Sequence, residues 1–273
     1  MKYILSFLLI GMLGGCQFKH PDNTQKTAAQ IAAEKRKAFF LNRHGNQNDI
    51  KDSAPKGPIP TFFNKVKPVI EPLSRYGNPS TYKVDGHTYE VMPNPIGYKK
   101  RGLASWYGVK FHKRRTSSGE NYDMYALTAA HKTLPLPTYV RVKNLSNGRQ
   151  AIVKVNDRGP FHSGRVIDLS YGAAAKLGVL PKGVAPVEIE AIILGKQSHQ
   201  AHYYVQAGAF NSQKLADALR IKLKKISKSP VLIEKYQKRY VVRVGPFANR
   251  TMSDHLRQSL SSHGVHGAFS VMM

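Results

Sequence analysis

Between residues 97 and 195 the sequence holds six carboxylates, Glu120, Asp123, Asp157, Asp168, Glu188 and Glu190, so acid–base chemistry there has few candidates. Asp157 follows the apolar run Ile152, Val153 and Val155 and precedes Arg158-Gly159-Pro160, while Asp168 follows Val166-Ile167 and precedes Leu169-Ser170. Two aspartates at the ends of neighbouring strands suit cleavage of a glycosidic bond. They equally suit two ordinary roles, an Asx-turn into Gly159-Pro160 and a brace for a helix that starts at Ser170. Glu120 lies in the Gly/Ser/Asn loop Thr116–Asn121, either as a second carboxyl stabilising positive charge at an anomeric carbon or as a solvated loop acid. His131, in Thr128-Ala129-Ala130-His131, has the chemistry to donate to a sugar hydroxyl or to orient an aspartate, or to sit in a core. Trp106 and Tyr107 offer flat faces for sugar rings, although the one tryptophan of a small domain is as often core. Glu188 and Glu190 alternate with Val187 and Ile189 and are expected on the solvent face of a strand. Asp123, after Asn121-Tyr122, is expected to close a turn.

The elements that must position these groups are mostly strands. Thr81–Val91 alternates around Asp85-Gly86 and predicts a β-hairpin. Tyr139–Asn144 is a period-two strand closed at Asn147-Gly148, and Ala151–Ser170 supplies two more strands broken at Gly159-Pro160. Arg158 should face away from Asp157 if its strand continues. Ser170 reads as the N-cap of a short helix, Tyr171–Leu177, with Gly178 at the C-terminal turn, and Val187–Leu194 as a last strand. Many short strands with one small helix over 76–196 predict a compact β-barrel.

The last seventy residues follow a different pattern. Tyr203-Tyr204-Val205-Gln206-Ala207-Gly208-Ala209-Phe210 recurs as Tyr240-Val241-Val242-Arg243-Val244-Gly245-Pro246-Phe247. Leu215, Leu219, Leu223 and Ile226, and later Met252, Leu256 and Leu260, fall at helical spacing. The order β-α-β-β-α-β predicts a four-stranded antiparallel sheet backed by two helices, a ferredoxin-like arrangement. Tyr204, Gln206 and Gly208 are expected on one sheet face, and Val241, Arg243 and Gly245 on one face of the repeat, with Val205 and Val242 turned to the helices.

Composition bounds the setting. With Lys+Arg 42 against Asp+Glu 16, the net charge of +26 attracts polyanions. Met1-Lys2 and the apolar run Tyr3–Leu13 are too short for a permanent membrane span and read as a secretory signal, which argues against nucleic acid as the partner. Cys16 is the only cysteine, so no intrachain disulfide forms and cysteine-based metal sites are excluded; no H-E-x-x-H occurs, and neither metal nor cofactor is expected. Residues 16–75, polar and broken by Pro55, Pro58, Pro60, Pro68 and Pro72 after a helical piece at Thr27–Leu41, read as a flexible tether.

Several motifs carry a resemblance. Leu13-Gly14-Gly15-Cys16 resembles a bacterial lipobox, which implies a signal peptide over 1–15, acylation of Cys16 and, with Gln17 following, sorting to the outer membrane. Ser105-Trp106-Tyr107-Gly108, Thr116-Ser117-Ser118-Gly119-Glu120, Thr128-Ala129-Ala130-His131, Val155-Asn156-Asp157-Arg158-Gly159-Pro160-Phe161 and Ile167-Asp168-Leu169-Ser170 resemble the rare lipoprotein A family over about 82–194. The repeat resembles a SPOR domain over 201–273. The resemblance implies a double-psi β-barrel over 76–196, a SPOR module and a periplasmic lipoprotein of the division septum. It implies a lytic transglycosylase, a carbon–oxygen lyase cutting MurNAc–GlcNAc bonds of peptide-free peptidoglycan to leave 1,6-anhydro ends and so aiding daughter-cell separation. Asp157 is then the first choice of acid, with Asp168, Glu120 and His131 as companions. Trp106, Tyr107, Tyr204, Gln206, Gly208, Arg243 and Gly245 become glycan-binding candidates. Division-site proteins are a further partner class. A non-catalytic, expansin-like wall-binding protein fits the same motifs.

Overall fold

A computed structural model describes residues 52–59, 61–180, 182–195 and 202–273. The expected signal peptide, Cys16 and the helix at Thr27–Leu41 lie outside the described residues.

The first described elements are the hairpin strands β1 (Thr81–Val84) and β2 (His87–Glu90), joined by Asp85 at φ 47° and Gly86 at φ 80°. Two successive positive φ values match the right-handed twist of the strands they join, which is why D-G was a turn signal. Six strands then close a barrel: β3 (Lys99–Tyr107), β4 (Thr128–Ala130), β5 (Thr138–Asn144), β6 (Gln150–Asp157), β7 (Arg165–Ser170) and β8 (Ala185–Ala191), in the order β3-β7-β4-β6-β5-β8. This is the expected double-psi β-barrel. The pairs β3–β7 and β4–β6 are parallel and the others antiparallel. Its interior is filled by Ala104, Ala129, Val140, Val153, Val155, Ile167, Leu169 and Val187. Helix α1 (Tyr171–Leu177) follows β7 directly; Ser170 Oγ accepts the Ala173 N–H at 3.1 Å, and Gly178 at φ 68° ends it. Such a cap is worth about 1 kcal/mol. The three-residue strand β4 was missed in the sequence, because Thr128-Ala129-Ala130 is too short to show a period.

The described part of the expected tether is a strap on the barrel. Phe63 and Val66 pack against the barrel core, and Glu71 accepts bonds from Tyr139 and from Lys154 Nζ at 2.8 Å. The physical reason is that this part carries partly buried apolar side chains and an acid matched to a partly buried lysine, so it gains enough to offset its ordering entropy.

The C-terminal unit has β9 (Tyr203–Phe210), α2 (Gln213–Ile226), β10 (Val231–Tyr236), β11 (Arg239–Phe247), α3 (Arg250–Ser262) and β12 (Phe269–Met272), with sheet order β10-β11-β9-β12. Val205, Val242, Val244, Leu223 and Leu260 form its core. Leu215 and Met252, which share the helical spacing of the apolar residues, are 56% and 49% exposed, while the smaller Ala216 and Ser253 occupy the buried positions. Close approach of helix to sheet selects the small side chain.

The two units touch. Asn78 and Ser80 exchange backbone bonds with Met272 and Ser270, so the strap adds to the β12 edge. Tyr76 meets Tyr236 edge-on at 4.7 Å, and Arg75 pairs with Glu234 at 3.2 Å.

Candidate active site

Asp157 ends β6. Its Oδ1 accepts three bonds, from Ser117 N at 2.7 Å, Ser117 Oγ at 2.6 Å and its neighbour Arg158 N at 2.8 Å. Its Oδ2 makes no hydrogen bond among the described residues. One oxygen is therefore fixed and the other is left for a ligand, an arrangement that orients a carboxyl without occupying it. The Arg158 side chain points elsewhere, as the strand alternation predicts. It is 5% exposed and donates to the carbonyls of Gly77, His131 and Leu134, fastening the strap to the loop after β4. Burial lowers its pKa to about 10, and Tyr82 and Asp157 oppose that shift.

Ala130 of β4 pairs with Asp157 on one side and Asp168 on the other, so the two aspartates share one cross-strand row. Two strand spacings separate them, about 9.5 Å. Burial raises the Asp168 carboxyl to about 6, against the opposing charges of Arg165, His162 and Lys132. Its Oδ2 is 3.5 Å from Arg165 Nη2, and its Oδ1 is buried with no partner. The helix entrance is capped by Ser170 alone, so the bracing role open to Asp168 in the sequence is not used.

Glu120 reaches the same region but is held: Oε1 accepts from Lys154 Nζ at 2.8 Å and Oε2 from Asn156 Nδ2 at 2.7 Å. Burial would lower the Lys154 pKa, yet its bonds to Glu120 and Glu71 outweigh that and leave it raised. Ser117 and this lysine bridge escaped the sequence reading; the Thr116-Ser117-Ser118 run was visible, but its fold-back onto β6 was not.

Four expectations need correction. His131 is 3% exposed; its Nδ1 accepts from Thr133 N at 3.1 Å and Leu134 N at 3.0 Å, and its Nε2 meets Tyr98 Oη at 2.8 Å. Nδ1 accepts two N–H groups, so the proton sits on Nε2. Burial, then the charges of Arg158, Lys100 and Lys132, push its pKa down to about 3. With both nitrogens committed, His131 shapes the loop and has no donor left for a sugar. Tyr107 is buried and stacked on Tyr122 at 4.2 Å, so its face is covered. Burial, then the nearby Asp157, Tyr122 and Asp168, hold its hydroxyl well above the usual phenol range. Trp106 is half-buried with its ring against Tyr171 at 5.5 Å.

On the C-terminal sheet, Val242 pairs with Gly208 but Arg243 with Gln206, so a bulge intervenes. The extra residue flips Gly208 to the helix side, where a Cβ would lie 2.9 Å from Leu219. Tyr204 and Gln206 are half-buried. Arg243 was expected to face solvent; it is 2% exposed, bonded to Glu234, which Arg75 also pairs, and its Nε has no partner. Gly245, at φ 138°, answers a backbone demand, since a Cβ there would meet Tyr203 O at 2.9 Å. Asp123 closes a turn through Tyr125 N, and Glu188 and Glu190 pair outside the barrel with Arg101 and Arg141.

Residues 99–189 match the family model described as a lytic transglycolase, and residues 200–270 match that of the SPOR domain. The chain is 51% identical over 154 residues to the endolytic peptidoglycan transglycosylase RlpA of Vibrio cholerae, covering 56% of this chain and 58% of that one. It is 60% identical over 111 residues to the protein of the same name from Pseudomonas aeruginosa, covering 41% and 33%. For the Neisseria meningitidis protein of that name it is 48% identical over 141 residues, covering 50% and 59%. The chain thus spans from 33% to 59% of the length of these relatives. With a lytic-transglycosylase barrel and a SPOR domain in series, and the motifs of the site falling inside the matched barrel, this chain belongs to the rare lipoprotein A family.

Proposed function

We propose that the chain is an endolytic peptidoglycan lytic transglycosylase, acting on MurNAc–GlcNAc bonds of glycan stripped of its stem peptides. The observation that carries this reading is Asp157, fixed through one oxygen by Ser117 and open at the other, inside the segment matched to the lytic transglycosylase family. In its protonated form Asp157 gives its proton to the glycosidic oxygen as the C1–O bond breaks. The C6 hydroxyl of the same muramic acid then bonds to C1, and its proton returns to Asp157. No water is consumed and the carboxyl is regenerated, so a single acid suffices where hydrolases use two. Glu120, oriented by Lys154 and Asn156, supplies negative charge near the developing cation.

The cellular setting belongs to the same proposal. Acylation of Cys16 would anchor the chain to the outer membrane facing the periplasm, the SPOR domain would hold it on peptide-free glycan at the septum, and the strap and tether would set its reach. Peptide-free glycan carries one lactyl carboxylate per muramic acid, which suits a chain of net charge +26.

The test is digestion of amidase-treated sacculi by the chain lacking residues 1–16, with mass spectrometry of the soluble products. Anhydro-ended glycans from the wild-type chain, absent with Asp157→Asn at unchanged thermal unfolding, are expected. Retained cleavage by folded Asp157→Asn would remove Asp157 from the mechanism. Binding without any anhydro product would favour the expansin-like reading.

A further inference from the structure

The barrel end formed by the starts of β3 and β7 and the end of β4 carries more positive charge than the neighbouring Asp168 balances. Arg165 Nη1 donates to Ser105 Oγ at 2.8 Å and Nη2 lies 3.5 Å from Asp168 Oδ2, while Lys132 Nζ donates to the Arg165 carbonyl at 3.0 Å. Lys100, exposed on β3, follows Tyr98 by two residues, and Tyr98 Oη meets His131 Nε2 at 2.8 Å, which brings the start of β3 beside the loop that carries Lys132; burial, then the charges of Lys100 and Arg165, lower the Lys132 pKa against the pull of Asp168. Elsewhere on β3, Lys99 and Arg101 are matched by Glu188; Lys100 and Lys132 have no ion pair among the described residues. Like charges crowded beside a single acid repel one another, and an anion bound among them relieves that repulsion.

We propose that Lys132, Arg165 and Lys100 form a carboxylate subsite that takes the lactyl group of a muramic acid whose stem peptide has been removed. The inference rests on the peptidoglycan-cleaving reading above and adds a reason for preferring peptide-free strands that lies in the barrel itself. Position supports it. The cluster lies at the Asp168 end of the row that joins Asp168, Ala130 and Asp157, in which the two aspartates stand about 9.5 Å apart. That is on the scale of one disaccharide, the interval at which lactyl groups recur along the strand. When a stem peptide is attached, the lactyl carboxyl is an amide and carries no charge, so the subsite would have nothing to neutralise it.

The experiment compares peptide-free glycan strands with the same strands after conversion of their lactyl carboxyls to methylamides. For the wild-type chain, the free-acid strands are expected to have a lower KM by roughly three- to tenfold, the scale of one partly desolvated charge contact. In Lys132→Met and in the more exposed Lys100→Met that ratio is expected to fall towards one, with folding followed by Trp106 fluorescence. A ratio unchanged in both folded variants overturns the subsite. If the wild-type chain makes no anhydro ends on either strand, the lytic reading fails on its own. The subsite is then judged by equilibrium binding of both strands to the wild-type and Lys132→Met chains, and an undiminished preference in the variant overturns it.

Discussion

Replacing Asp168 by asparagine keeps the shape of the side chain and removes its titration. In the folded chain burial raises this carboxyl from 3.8 to about 6, so the fold holds the proton to higher pH than the unfolded chain does. Its contribution to stability is therefore greatest below pH 4 and is lost as the pH rises towards 6. Roughly two pH units at about 1.4 kcal/mol each give close to 3 kcal/mol, and the partial solvent access of the side chain reduces this to roughly 2 kcal/mol. Asp168→Asn should thus gain about 2 kcal/mol relative to the wild type between pH 3.5 and pH 7.5. His131 runs the other way: its pKa is lowered to about 3, so its contribution is present above pH 6.5 and lost on acidification. It is shared by both chains and cancels in the comparison. Urea unfolding followed by fluorescence of Trp106, the one tryptophan, reports on the barrel rather than the C-terminal sheet. A difference between the two chains that is flat with pH, or larger at pH 3.5, would refute the burial argument.

Other perturbations follow from the same geometry. Ser117→Ala removes the 2.6 Å bond to Asp157 while leaving the backbone N–H in place, so cleavage should drop by about tenfold or more through kcat, with stability lowered by roughly 1–2 kcal/mol; an unchanged pH–rate profile and kcat would show that Ser117 does not position the acid. Arg158→Met leaves the carbonyls of Gly77, His131 and Leu134 without their donor and should lower the barrel's denaturation midpoint by an amount equivalent to about 3 kcal/mol or more; a smaller loss would mean that water replaces the guanidinium. Tyr76→Ala removes the ring that packs on Tyr236 of the C-terminal sheet and should raise retention on amidase-treated sacculi several-fold, whereas equal retention would count against that sheet face as a glycan surface.

Much of the architecture was legible because it depends on local chemistry. Asp85-Gly86 accommodates two positive φ values, Ser170 and Gly178 bound a seven-residue helix, and the repeated Tyr-x-Val pattern marks two central strands of one sheet. Period-two alternation likewise sent Glu188 and Glu190 outward and the Arg158 side chain away from Asp157. The errors share a different cause. Gly208 was placed on the wrong face because one bulge reverses a strand's alternation, and a strand glycine hints at a bulge without fixing where the register shifts. Leu215 and Met252 fit a helical period, but the spacing between helix and sheet admitted only Ala216 and Ser253.

By itself the sequence determined the barrel-plus-sheet order and the short list of carboxylates, since these follow from residue types and spacings within a few positions. Only the tertiary structure decided what each group can do. It folded Ser117 back onto Asp157 across forty residues, sealed both nitrogens of His131, covered the ring of Tyr107 and buried Arg243 against Glu234. It also joined Asp157 and Asp168 through Ala130 and gathered Lys100, Lys132 and Arg165 beside one of them. Burial and hydrogen-bond saturation are properties of contacts between distant segments, and a one-dimensional pattern carries no measure of either.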